Sequence, residues 1–495
     1  MGLDIMASPK EAYLLRPGFS LTAAQSILLP FSLGVGVLWL GLTVSVALAN
    51  TLLIFLFVTG MGLWLCHRTR VVLGDPKLKI LGTFWLLKVI ITLFLLYVGW
   101  IPQLDPSSIS WGYDPQRFYI DAQDLIENGW NPVAGSNYQG IIFFYGAIFY
   151  LFDQNPVIPA LINIFVTLLG TLFLIRCVYS FVPERTSKDW TLAWLLLVPE
   201  VLWYDVMTSR ETLMAVLIII AALGAGRYLV GVRQNSLTST VLLTGTSLFA
   251  ILAVRTSMVI PVAVSIGVMA VLLRTNHKMG LLLKMLLFGL AIAAMSAGPL
   301  IQNIVGGSDI DYLAALGRLQ SFETNVAADA GMQWSDNSIG LLLAPNNAWQ
   351  SLLYLPARMV LYLAAPFPSV AVSVTELING SWSAWQRLMT IPTSAMMLLG
   401  LPYALAGLAQ AWRLRRHQPA PLVLHITFWI TFMAVAGGNT IIHERYRLMF
   451  TLLLFACMWF GYTRSSRREV RRWAFPWFGL LAAGAVFYMG YKFIW

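Results

Sequence analysis

The sequence predicts an all-α, polytopic membrane protein, and three observations carry that expectation. Hydrophobic residues make up 58% of the chain and charged residues only 11%. Apolar runs of about 20 residues, the length that crosses the hydrocarbon core, recur along it. Those runs are too long and too uniformly apolar for barrel strands, and a backbone in lipid that is not part of a closed barrel must be helical to satisfy its own hydrogen bonds.

Taken in order, the runs place roughly 13 transmembrane helices, at 25–45, 47–66, 80–101, 157–177, 191–208, 212–230, 238–254, 257–273, 281–300, 389–411, 421–437, 446–462 and 474–494. The polar start, MGLDIMASPKEAYLLRPG, lacks a short apolar core with a small-residue cleavage site, so no removable signal peptide is expected. Cys66, Cys177 and Cys457 fall in or at the ends of apolar runs, which gives neither a disulfide framework nor a metal-ligand spacing.

The net charge of +10 reflects topology rather than a nucleic-acid partner. Most Lys and Arg lie in the N-terminal tail and in HRTRVVLGDPKLK, PERTSK, RTNHK, WRLRRH and TRSSRREVRR. Alternating spans put these on one side, which the positive-inside rule assigns to the cytoplasm of a cytoplasmic (inner) membrane protein. Outer loops at 102–156 and 302–350, and the segment GGNTIIHERYR, then face the periplasmic or extracellular side. The run 352–378, broken by Pro366 and Pro368, reads as a re-entrant or interfacial helix pair, and GIIFFYGAIFYLF is too short to span. The whole chain, 1–495, is read as one membrane domain with no separate soluble domain.

Chemistry is expected first in the outer loop, where 102–138 reads PQLDPSSISWGYDPQRFYIDAQDLIENGWNPVAGSNY. It carries Asp105, Asp114, Asp121, Asp124 and Glu127 against the single cation Arg117. A carboxylate that is partly desolvated beside a cleft can act as general base. Asp114 is the leading candidate, because Arg117 and the aromatic faces of Trp111, Tyr113 and Tyr119 around it suit a sugar. The structural alternative is that Asp114 caps the helix that Pro115 opens.

Arginines supply the opposite charge. Arg210 and Glu211 stand at the outer start of a span, one to two turns after Asp205, and boundary charges of this kind are candidate site residues, with a local ion pair as the alternative. Arg255, between two spans, has the donor fork that binds phosphate, or it snorkels to a headgroup. His443, Glu444, Arg445, Tyr446 and Arg447 abut a late span, and two Arg flanking a Tyr at a helix start form a clamp for phosphate or an Arg-Tyr-Arg girdle at the headgroups. Lys88, inside a span, snorkels or pairs within the bundle. No metal triad appears, no cofactor is implied, and Asp309 with Asp311 leaves a divalent cation open. Gly-x-Ser-x-Gly and Gly-rich nucleotide loops are absent, so a reaction here draws on an activated donor already in the membrane.

These pieces resemble the GT-C superfamily of polyprenyl-phosphate-sugar-dependent glycosyltransferases, in particular bacterial protein mannosyltransferases and aminoarabinose transferases. The likeness rests on YDPQRFYIDAQDLIENGWNP, NYQGIIFFYGAIFYLF, LLVPEVLWYDVMTSRETLMAV and HERYRLMF, over roughly 80–260 and 437–462. The resemblance implies sugar transfer from a polyprenyl-linked donor to a glycan, lipid or protein acceptor at the outer face. It implies Asp114 as base, in competition with Asp121 because Pro115 stands where relatives have a second acid. It implies Arg445, Arg447, Arg255 and Arg210 at the donor phosphate, and the residues read beside these, Tyr113, Arg117, Tyr119, Glu211, His443 and Tyr446, are expected to line the substrate. A polymerase or ligase of lipid-linked repeats would use similar groups, and a transporter or flippase would place them near mid-membrane.

Overall fold

The computed structural model describes residues 45–104, 114–131, 138–182, 189–231, 237–273, 348–364, 374–378, 381–438 and 444–494. Every regular element among them is helical. The chain forms two compact units, 1–56 and 57–495. The described part of the first is the opening of helix α1 (Val46–Leu73). All that follows concerns the second.

Seven stretches of the described residues are long and apolar enough to cross a membrane: Val46–Leu73, Pro76–Leu104, Val157–Phe181, Arg210–Leu229, Ala384–Leu414, Ala420–Gly437 and Arg445–Arg464. Shorter apolar helices cover Gln139–Leu151, Thr238–Val254, Thr256–Leu272 and Leu352–Ala364. The chain is thus an all-α membrane protein. The expected spans at 25–45 and 281–300, and nearly all of the outer loop 302–350, lie outside the described residues.

Helix α2 (Ile80–Leu95) shows how sequence becomes a lipid-facing element. Leu81, Trp85, Lys88, Val89, Thr92 and Leu95 are buried, at the three-and-four spacing of one helix face. Leu86, Ile90 and Phe94 repeat every four residues on the other side and stand 41%, 64% and 54% exposed. In water such a stripe would drive aggregation, whereas in a bilayer it is the surface that meets acyl chains.

The site is positioned by six further elements. Helix α3 (Asp114–Glu127) leads through a turn to α4 (Gln139–Leu151) and α5 (Val157–Phe181). Gly129 and Trp130 both take left-handed backbone at the end of α3, with φ of 65° and 67°. Such a backbone is strained for Trp130, and its ring is held in place by stacking on Phe143 and an edge contact with Tyr150 of α4. Helix α6 (Pro199–Asp205) precedes α7 (Arg210–Ile218), which continues through a π-helical turn, Ile219–Leu223, into α8 (Gly224–Leu229).

The region expected as a span at 191–208 is built differently. It is a 3-10 helix, Asp189–Leu197, followed by the short α6. Proline disfavours helical backbone in the residue before it, and Val198 is extended ahead of Pro199. Most apolar residues of this run are buried against other helices: Leu192, Leu196, Leu202 and Trp203 are all 3% exposed or less, whereas Trp194 is 53% exposed and its ring packs on Phe84.

Helices α9 (Leu237–Val254) and α10 (Val259–Leu272) are followed by α11 (Ala348–Ala364) and the one-turn α12 (Val374–Ile378), which occupy the region read as a helix pair. The C-terminal part is α13 (Trp382–Leu414), α14 (Ala420–Gly438), α15 (Glu444–Arg464) and α16 (Arg467–Ile494). Helices α13 and α15 meet backbone to backbone, since a Cβ on Gly461 would fall 1.8 Å from the Tyr403 carbonyl oxygen. Small residues at such crossings let helices pack closely without a hydrophobic driving force between them.

Candidate functional site

Four elements present charged side chains to one place. Asp114 is the first residue of α3, Arg210 the first of α7, Arg445 the second of α15, and Arg255 precedes the 3-10 turn Thr256–Met258. Helix N-termini carry partial positive charge and unsatisfied N–H groups, so their convergence favours an anion.

The Asp114 carboxylate reaches across to Arg445, with Oδ2 2.7 Å from Nη1, and the two side chains are 22% and 18% exposed. Arg445 also donates from Nη2 to the Tyr446 hydroxyl at 2.8 Å. The Arg255 guanidinium lies 4.9 Å from the Tyr446 ring centroid, and that of Arg445 lies 4.8 Å from it. Arg210 donates from Nε to Glu211 Oε1 at 3.1 Å and sits 4.6 Å over the Tyr138 ring and 6.0 Å over Phe118. Glu211 feels Arg210, Arg445 and Arg255 together, and Arg210 feels Asp114. Among the described side chains, three guanidiniums stand against two carboxylates in a largely buried place, where Coulomb forces exceed their strength in water.

The backbone that carries Arg210 and Glu211 is pinned from several sides. Ser209 caps α7, accepting from Glu211 N–H at 3.2 Å and donating from its hydroxyl to Glu211 Oε2 at 3.0 Å. Tyr145 donates its hydroxyl to the Ser209 carbonyl at 2.9 Å, and Asn163 donates Nδ2 to the Met207 carbonyl at 2.8 Å. The Thr208 hydroxyl donates to the carbonyl of Pro115, which couples this turn to the residue next to Asp114. Below it, Asp205 accepts from the Thr167 hydroxyl at 2.6 Å and pairs with Lys88 Nζ at 2.6 Å, both side chains fully buried. Of the two roles the sequence left to Lys88, the structure shows the pair inside the bundle.

The structure therefore brings together Asp114, Arg445, Arg255, Arg210, Glu211 and Tyr446. It separates the other described candidates from them. Arg447 is fully buried, with Nε 2.9 and 2.8 Å from the two Glu200 oxygens, Nη1 donating to Ser394 Oγ at 2.8 Å and Nη2 to the Thr390 carbonyl at 3.1 Å. Asp121 faces Arg117 one turn back, at 3.5 Å, and the charges acting on it are those of Arg117 and Asp124. Burial pushes its carboxyl above the usual carboxylate range, and Arg117 offsets part of that shift. Tyr119 donates its hydroxyl to the Gln154 carbonyl at 2.5 Å and packs edge-on against Phe149. Burial, with the Asp153 charge adding to it, pushes its phenol up to about 12.

Tyr113, Trp111 and His443 lie outside the described residues, as do Asp309 and Asp311. Among the described residues no three His, Cys, Asp or Glu side chains stand close enough to hold a metal ion together. Sequence reasoning missed Tyr138, Phe118 and Ser209. Of these only Ser209 carried a local signal, a capping residue two positions before an acid at the start of an apolar run. No family model matches the chain, and neither a curated protein nor a solved structure is found to be similar to it.

Proposed function

We propose that this chain is a membrane glycosyltransferase that moves a sugar from a polyprenyl-phosphate-linked donor to an acceptor hydroxyl at the outer face of the cytoplasmic membrane. The observation that carries this reading is the Asp114–Arg445 pair, one carboxylate of the outer-loop helix set directly against a guanidinium whose neighbours are Arg255 and Arg210. The positive-inside count supports the outer placement.

In the proposed reaction the acceptor oxygen attacks the anomeric carbon and gives its proton to Asp114. The bond from that carbon to the phosphate oxygen breaks, and the electron pair leaves on the phosphate. Arg445, Arg255 and Arg210 stabilise the departing charge, a role commonly worth about 3 kcal/mol per donor. A phosphate arriving in the cluster competes with Asp114 for Arg445 and so frees the carboxylate to act as base. Tyr446 and Tyr138 hold the guanidinium planes by cation–π contact. Arg447 serves the frame rather than the phosphate, since its donors face Glu200, Ser394 and the Thr390 carbonyl.

A transporter or flippase is the second reading, favoured by the Lys88–Asp205 pair deep in the bundle. One experiment separates them: transfer of labelled sugar from a polyprenyl-phosphate donor by purified protein in vesicles, with and without chelator. Asp114→Asn and Arg255→Ala are each expected to lose roughly a hundredfold or more in rate, and Arg117→Gln to stay near wild type. Full activity in Asp114→Asn removes the assigned base. Movement of labelled lipid without a covalent product supports the transporter. Acceptors of different chemistry in the same assay separate single transfer from a polymerase or ligase of lipid-linked repeats.

A further inference from the structure

We propose that the opposite end of the bundle holds a second anion site, a phosphate-binding cradle built by Arg68, Arg176 and Arg227 from three different helices. Arg210 and Arg227 mark the two ends of the crossing segment Arg210–Leu229. At 1.5 Å per residue they stand about 25 Å apart, most of the ~30 Å thickness of a hydrocarbon core. The cradle is therefore distinct from the site around Asp114, and it does not depend on what that site does.

Among the described residues its charges are alike. Arg227 and Arg68 are the charged side chains that act on Arg176, and both repel it. Arg176 is aimed by a neutral group, donating from Nε at 3.1 Å and from Nη2 at 2.8 Å to the same Thr69 hydroxyl. Arg227 reaches the sulfur of Cys177, and its Nε is buried with no hydrogen-bond partner. The carboxylate nearest in sequence to Arg68, Asp75, is occupied by the Tyr179 hydroxyl at 3.2 Å and by the Lys77 amide at 2.9 Å.

Gathering three guanidiniums where Arg176 and Arg227 are half-buried is unfavourable unless an anion joins them. The planar donor forks of arginine match a phosphate group, and basic pockets between helices at the cytoplasmic side are suited to anionic headgroups. Exposed apolar side chains flank the cradle on α1, with Val71 and Val72 each 52% exposed, where an acyl chain would lie. The ligand chemistry is a phosphate group, carried by an anionic phospholipid or by a soluble phosphate.

The test measures binding by the full chain, purified in uncharged detergent, using native mass spectrometry and thermal unfolding. The probes are phosphatidylglycerol, phosphatidylcholine and inorganic phosphate. Phosphatidylglycerol is expected to bind and stabilise the wild type, and Arg176→Gln with Arg227→Gln to weaken that binding about a hundredfold, or tenfold per guanidinium. Stabilisation by inorganic phosphate, lost in the same variant, supports the cradle and assigns it to a soluble ion. Equal binding of phosphatidylglycerol by wild type and variant, or no binding of either phosphate bearer, overturns the proposal. If the double variant does not fold, the exposed Arg68→Gln gives the decision: about tenfold weaker binding supports the cradle, and unchanged binding overturns it.

Discussion

Arg445 and Arg447 stand two positions apart on α15, so their side chains leave the helix on opposite sides. One turns toward Asp114 and Tyr446, the other toward Glu200 in the interior. From sequence they read alike, as two halves of one clamp, because what distinguishes them is a partner far back in the chain. The consequence can be measured. Arg447→Ala removes the charge partner of the fully buried Glu200 carboxylate, and loss of one partner of a buried pair costs about 3–5 kcal/mol. The double change Arg447→Met with Glu200→Leu is expected to recover most of that stability in thermal unfolding, because neither charge then remains to be solvated. A double variant as unstable as Arg447→Ala would show that the pair does more than neutralise itself. Asp114, in contrast, was legible as a candidate from its neighbours, and the structure adds the partner that a local reading could not supply.

At the scale of elements, two contacts set how α13, α15 and α16 stand together. The first is the approach at Gly461, where an added methyl meets the Tyr403 carbonyl oxygen and cannot be relieved by rotating a side chain. Gly461→Ala is expected to force the helices apart and lower thermal stability by about 2 kcal/mol or more. Gly479→Ala, which meets nothing within 4 Å, is the control and should change it little. The second contact is the start of α16. Ser466 accepts from the Glu469 amide at 3.3 Å, while Glu469 Oε2 accepts from the Ser466 amide at 3.0 Å, a reciprocal capping box. The Ser466 amide, followed by Arg413 and the Ser466 hydroxyl, holds the Glu469 carboxyl below its ordinary value of 4.5. A depressed carboxyl favours the folded state above that ordinary value, and the benefit is lost as pH falls through the folded one. The protection of amides at the start of α16, measured relative to their intrinsic exchange rates, should therefore fall on acidification below about pH 4.5, and Glu469→Gln should remove that dependence. The sequence showed most of these helices plainly, since long apolar runs leave little choice in lipid. At 191–208 it expected one continuous span where the chain forms a 3-10 helix followed by a short α-helix, because apolar composition does not fix the helix type; the discriminating residue was Pro199.

Across the whole molecule, the two ends of the bundle differ in what their charges meet. Among the described residues, acids and bases are interleaved around Asp114, whereas the side chains Arg227 and Arg68 that act on Arg176 share its sign. The distribution of Lys and Arg led the sequence reading to expect two differently charged ends, yet it could not pair the charges, as pairing depends on which helices touch. Lys88 and Asp205 make that limit concrete and carry a consequence for biogenesis. A lysine at the centre of a nascent helix disfavours its release into lipid by about 3 kcal/mol. Lys88 leaves the ribosome well before Asp205, so α2 must wait at the insertion machinery, or enter the bilayer as an incomplete partner, until α6 arrives. Asp205→Asn should then shorten the lifetime of the newly made chain in the cell, read by pulse-chase labelling. Replacing both residues with leucine should restore the lifetime even if it does not restore activity. The ion pair, seen in this light, is a checkpoint in time, recording that two distant parts of the chain have reached the membrane in order.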